Sequence, residues 1–212
     1  AASMQLAKQI GVKMLMSVAP DPVWSHQVNE HQGGGNIVLC WRATNLLNAE
    51  GWSLLLQAVD QISKSTHKSV TWLAFHADQD AQLLTSLVEK GLVPNSLALN
   101  SNTVIAENID HAQIIFKDAS LVIAMRLHAL ILAIVSQCPS SALSYDPKVE
   151  AAARIADVPC LGLENLPSLE VLLTSWMSCM SHPPSKTNLE KIREQSYEHE
   201  RILRLNLAQI KA

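Results

Sequence analysis

Short apolar runs alternate along the chain with longer stretches in which apolar residues recur at helical spacing. Runs of four to eight apolar residues bounded by polar turns are the mark of strands buried on both faces, which occur in parallel sheets covered by helices. The pattern predicts strands over 37–41, 70–75, 121–124, 141–144 and 160–163, with a weaker one near 96–99. Helices are predicted between them over 49–63, 78–90, 109–117, 126–136, 147–157 and 169–180. Before the first of these units lie the end of a helix over 4–10, a strand over 12–18, and a polar stretch from Ala19 to Gly35 that reads as turn and linker. After Pro183-Pro184 the tail places Leu189, Ile192, Leu203, Leu207 and Ile210 near one face of an amphipathic helix over 188–210. The expected fold is therefore α/β: a Rossmann-like parallel sheet with helices on both faces, followed by a C-terminal helix.

In such a sheet ligands bind beyond the carboxyl ends of the strands, where loops lead into helix N-termini with free amide donors. Polar residues gather at that edge. Arg42 and His76 end the first two strands after the linker, Arg126 and His128 follow the buried strand at 121–124, and Tyr145 and Asp146 follow the strand at 141–144. The segment from Leu121 to Val135 is apolar apart from Arg126 and His128. A guanidinium at a helix start is disfavoured by the positive end of the macrodipole, by roughly 0.3–1 kcal/mol. An anion at that turn would reverse the penalty, because the arginine and the helix amides could grip it together. The competing reading pairs Arg126 with an internal acid such as Asp118 and leaves His128 as a core histidine. If anion binding is its role, Arg126→Ala is expected to remove binding and leave folding largely intact. Asp146 reads equally well as a cap before Pro147, and the acids of His76-Ala-Asp78-Gln-Asp80 read as caps for the next helix.

Composition narrows the function further. With 212 residues, 48% hydrophobic and 17% charged, the chain suffices for one large α/β domain. Its formal charge of −3 offers no basic surplus for a nucleic-acid backbone, so no nucleic-acid partner is expected. No apolar run approaches the ~20 residues of a membrane-spanning helix. Cys40, Cys138, Cys160 and Cys179 form no CxxC pair and read as buried apolar residues in a reducing compartment. His26 and His31 lack a third metal ligand, Gly33-Gly-Gly35 lacks phosphate-loop spacing, and the tryptophans read as core or domain-contact residues.

The string DASLVIAMRLHALILAIVSQCPSSALSYDPKV, with an RLHAxIxA helix followed by a YDPK turn, resembles the CsaB-type polysaccharide pyruvyl transferase family. Weaker similarity extends through Asp21-Pro22, Arg42 and FHADQD, to about Leu163. One departure is Gln137-Cys138, where the family usually has a glycine before the proline.

The resemblance implies the second, donor-binding half of a two-domain transferase of GT-B-like architecture. Residues 1–35 would then be the end of an N-terminal domain and linker, 36–180 a phosphoenolpyruvate-binding domain, and 181–212 the C-terminal helix. It further implies transfer of pyruvate from phosphoenolpyruvate, as a ketal, to a sugar of a cell-surface polysaccharide or its lipid-linked precursor. Arg126, His128 and Arg42 would hold the donor, with His128 and Arg126 catalytic, while Tyr145, Asp146, Lys148 and His76 shape the pocket. The implied partners are phosphoenolpyruvate, a saccharide acceptor and the missing N-terminal domain, and neither a metal nor a cofactor is expected. The location would be cytoplasmic, at the inner membrane surface, and the half alone would be inactive. The alternatives are a nucleotide-sugar glycosyltransferase of GT-B type and a non-catalytic anion-binding domain.

Overall fold

The computed structural model describes residues 2–11, 18–26 and 30–210. Helix α1 (Ala2–Gln9) opens the chain, and most of the strand expected over 12–18 lies outside the described residues. Six parallel strands follow: β1 (Ile37–Cys40), β2 (Val70–Ala74), β3 (Ser101–Ile105), β4 (Leu121–Ala124), β5 (Ser140–Ser144) and β6 (Cys160–Gly162). They lie in the order β3-β2-β1-β4-β5-β6, with Cys40 level with Ala124 across the central pair. The chain leaves β1 toward β2 on one side and leaves β4 toward β5 on the other. The carboxyl ends of β1 and β4 are therefore the topological switch point, the edge at which such folds bind ligands.

Alternation along each strand divides the interior into two cores. Val38, Cys40, Leu73, Val122, Ala124 and Ala142 face one side, where they meet α6 (Ile109–Asp118), α7 (Leu127–Val135) and α8 (Pro147–Ala156). Ile37, Leu39, Trp41, Val70, Trp72, Leu121, Ile123 and Leu143 face the other, against α2 (Ala49–Thr66) and α9 (Leu169–Ser181). Trp41, Trp52 and Trp72 pack together there, with ring centroids 5.5–6.0 Å apart.

Three elements differ from the sequence expectation. The third strand is not at 96–99: after Pro94 the chain winds through helix α5 (Asn95–Leu99), burying Leu97, and the strand begins at Ser101. As an edge strand, β3 keeps its side chains half-buried or exposed, and Asn102 accepts a hydrogen bond from Thr71 at 3.1 Å, so it carries no apolar signature. The helix expected over 78–90 is two, α3 (Ala77–Asp80) and α4 (Leu83–Glu89), because Gln82 leaves helical geometry and Asp80 turns inward. The tail is also two helices, α10 (Lys186–Ser196) and α11 (Glu198–Ile210). Ser196 turns its hydroxyl back to the Arg193 carbonyl at the junction, a local bond that competes with helix continuation. Leu189 and Ile192 pack into the first core with Trp24, which lies in a 3-10 turn (Pro22–Ser25). Leu203 and Leu207 instead stand 60% and 50% exposed.

The Gly33–Gly35 stretch is more than a flexible linker. Gly33 and Gly34 adopt φ of +70° and +85°, a region that disfavours side chains, and the Gln32 and Gly33 amides donate to the Lys117 carbonyl. Gly35 donates to the Asp118 carbonyl at 2.7 Å, and a Cβ there would stand 2.5 Å from that same oxygen. His31 bonds the Ala119 carbonyl at 2.9 Å, which pins the entry to β1 further. At the end of α7, Gln137 occupies the left-handed region with φ of +57°, a conformation that costs an L-residue about 1–2 kcal/mol.

Two substitutions should shift stability in opposite directions. Gly35→Ala should lower it by about 1–3 kcal/mol through overpacking against backbone. Gln137→Gly should raise it by up to about 1 kcal/mol by relieving the left-handed residue. Urea unfolding followed by circular dichroism measures both.

Candidate anion-binding site at the switch point

Strand β4 delivers Arg126 to the switch point. The Met125 and Arg126 amides both donate to the Cys40 carbonyl, at 3.0 and 3.3 Å, which ties the end of β4 to the end of β1 and starts α7 directly afterwards. Arg126 is the N-cap residue of α7, and no side chain caps the helix amides. The first turn of an otherwise buried, apolar helix thus keeps its free donors.

The guanidinium is not free. Its Nε donates to Asp80 Oδ2 at 3.1 Å, and its Nη2 donates to Asp80 Oδ1 and, at 3.0 Å, to Gln79 Oε1. The Asp80 side chain is 1% exposed and that of Arg126 13%. Asp80 Oδ2 also accepts from the His76 amide at 3.0 Å. The acidic partner is therefore Asp80 and not Asp118, and it reaches back to the N-cap amide of α3 while gripping the arginine. Asp80 also lies close enough to add to burial in holding the Cys40 thiol well above its ordinary range; Cys138 contributes less. Cys40 accordingly stays protonated beside the site. Of the four cysteines expected to be buried, Cys160 is only half-buried.

Open space lies in front of this pair. A cavity of about 530 Å³ is lined on its polar side by His76, Arg126, His128, Tyr145, Asp146 and Lys148, and on its apolar side by residues including Val23, Phe75, Ile109 and Leu132. Six of the seven residues singled out from the sequence thus share one cavity. Arg42 does not line it. Its Nη1 lies 3.3 Å from the Tyr145 hydroxyl and its guanidinium sits 5.3 Å from the Tyr145 ring centroid, so it holds a residue that does. His128 is 60% exposed, with Nε2 3.6 Å from Asp21 Oδ2, and is no core histidine. Asp146 caps α8, its Oδ1 accepting from the Lys148 amide at 2.8 Å, so it serves the helix while lining the cavity.

Sequence reasoning missed Asp80, Gln79, Asp21 and Val23. Nothing in FHADQD distinguishes Asp80, which faces inward, from Asp78, which is exposed. Val23 lines the cavity and Asp21 approaches His128 because the 3-10 turn packs on α7 and α10, a long-range contact with no local signal.

The family model for polysaccharide pyruvyl transferase matches residues 1–147. The chain belongs to that family. A search of curated proteins found none that matches the chain. Among solved structures, TarM is similar over 100% of this chain and 42% of its own, at 13% identity and a TM-score of 0.56, a likeness of fold. WaaG, a glycosyltransferase involved in lipopolysaccharide biosynthesis, is 14% identical over 78% of this chain and 42% of its own, with a TM-score of 0.46. MurG of Acinetobacter baumannii is 14% identical over 89% of this chain and 53% of its own, with a TM-score of 0.44. The chain thus spans about half or less of the length of these structures. The six-stranded parallel sheet is Rossmann-like, and the likeness to TarM is one of fold alone.

The buried pair changes what Arg126→Ala should do. Removing the arginine leaves Asp80 charged and buried without its counter-ion, so a loss of about 3–5 kcal/mol is expected in denaturant unfolding, in place of the intact folding that the sequence implied. Replacing both residues, as Arg126→Met with Asp80→Leu, should recover most of that stability.

Proposed function

We propose that this domain is the donor-binding half of a polysaccharide pyruvyl transferase and that the cavity at the switch point receives phosphoenolpyruvate. The observation that carries the reading is the convergence of Arg126, His128, Lys148 and the uncapped first turn of α7 on one cavity. Free helix amides and cationic side chains together suit a compact anion. In this reading the phosphate lies against the α7 amides, Arg126 and His128, and the carboxylate lies toward Lys148 and Tyr145. Arg42, set behind Tyr145, assists by fixing the ring.

The chemistry follows from the donor. A proton adds to the methylene carbon of phosphoenolpyruvate and makes it a methyl group. One sugar hydroxyl adds at the central carbon, phosphate leaves with its bridging oxygen, and a second hydroxyl adds to close the ketal. Of the two protons lost by the hydroxyls, one balances that gained by the methyl group and the other accompanies phosphate. Cationic donors already in place stabilise the charge that moves onto phosphate. His128, exposed at the cavity and paired with Asp21, is suited to move the proton. No cofactor beyond the donor enters this scheme.

The saccharide acceptor, free or lipid-linked, is met against a facing domain outside this chain, at the cytoplasmic side of the membrane. Among the described residues no helix is long and apolar enough to cross a membrane.

Calorimetry on this chain should show phosphoenolpyruvate binding that His128→Ala weakens, with nucleotide diphosphates failing to compete. Competition by a nucleotide diphosphate would instead favour a nucleotide-sugar glycosyltransferase. With this half alone, phosphate release in the presence of acceptor should be negligible. Phosphate release should appear when the facing domain is supplied, and continued absence would point to a binding domain without turnover.

A further inference from the structure

We infer that Asp80 is a positioning residue that aims a single arm of Arg126 into the cavity. The inference rests on the reading of that cavity as a phosphoenolpyruvate site. A guanidinium carries five N–H donors on Nε, Nη1 and Nη2. Here Nε and Nη2 are taken up by the two oxygens of Asp80 and by Gln79, while Nη1 makes no hydrogen bond among the described residues. Arg126 itself lines the cavity, so Nη1 is the arm left to meet a ligand.

This arrangement separates geometry from charge. Asp80 neutralises the arginine at close range, so the pair brings little net positive potential to the cavity. What it supplies is a donor in a fixed place, since the bidentate contact blocks rotation of the guanidinium. Asp80 is itself held by the His76 amide, which ties the aim of Arg126 to the loop after β2. Excess positive potential must then come from the α7 amides and Lys148. Arg126 contributes direction.

The two views give opposite signs for Asp80→Asn. If charge alone mattered, removing a carboxylate beside the site would tighten binding of an anion. If Asp80 aims the arginine, the same change frees the guanidinium and weakens phosphoenolpyruvate binding by about tenfold. The measurement is isothermal calorimetry with phosphoenolpyruvate on the full 212-residue chain, with thermal unfolding as the control for fold. A second readout needs no ligand: nitrogen-15 NMR of Arg126 should give two separate Nη signals in the wild type, reporting blocked rotation about Nε–Cζ, and a merged signal in Asp80→Asn.

Equal or tighter binding by a folded Asp80→Asn protein overturns the proposal, as does a freely rotating Arg126 in the wild type. A wild type with a locked Arg126 but no affinity for phosphoenolpyruvate sinks the pyruvyl-donor reading and leaves the aiming role standing. Should Asp80→Asn fail to fold, Gln79→Ala, at an exposed position, removes one restraint. It should weaken binding by a smaller factor and broaden the Arg126 signals, and unchanged affinity with unchanged signals would then overturn the proposal.

Discussion

The structure turns on a buried ion pair at the carboxyl edge of the sheet. Arg126 stands where an apolar helix begins, and its partner Asp80 comes from the short helix α3 after β2, two strands away in the sheet. A desolvated carboxylate and a desolvated guanidinium are each costly alone, and together they fix each other's position. Because Asp80 also holds the His76 amide and β4 is tied to Cys40, the pair links the ends of β2, β1 and β4 into one rigid edge. The cavity opens on that edge.

Around the edge, the polar residues divide between shaping and contact. Arg42 braces Tyr145, Asp146 caps α8, and Asp80 restrains Arg126, so several charges that the sequence leaves open are already engaged. The exposed groups that line the cavity are fewer: His76 at the head of α3, and His128 on α7 and Lys148 on α8, which stand on neighbouring helix first turns. In the function proposed above, a site assembled this way would hold a compact anion by placement and by helix amides more than by accumulated charge. This accords with a chain whose formal charge is −3.

Local pattern was enough to reveal most of the fold. Strands β1, β2, β4 and β5 are buried on both faces; unbroken apolar runs announce β1 and β4, whereas β2 carries Thr71 and β5 carries Ser140, Ser141 and Ser144. Strand β3 was misplaced because an edge strand is stabilised by backbone pairing and by Asn and Thr bonds, which leave no apolar trace. The split of the tail escaped notice because the apolar face continues through α11 in sequence, although Leu203 and Leu207 are exposed in the structure.

For the site, the sequence by itself determined which residues would gather. Strand ends in a parallel sheet share an edge whatever the side-chain detail, so Arg126, His128, Tyr145, Asp146 and His76 could be placed together from spacing alone, while Lys148 came with the YDPK resemblance. Only the tertiary structure decided how they are engaged. Whether an arginine meets Asp118 or Asp80, and whether Arg42 faces the cavity or braces a tyrosine, depends on contacts between residues 46 or 103 positions apart. Such contacts are set by strand order and helix packing, and no local run of residues encodes them.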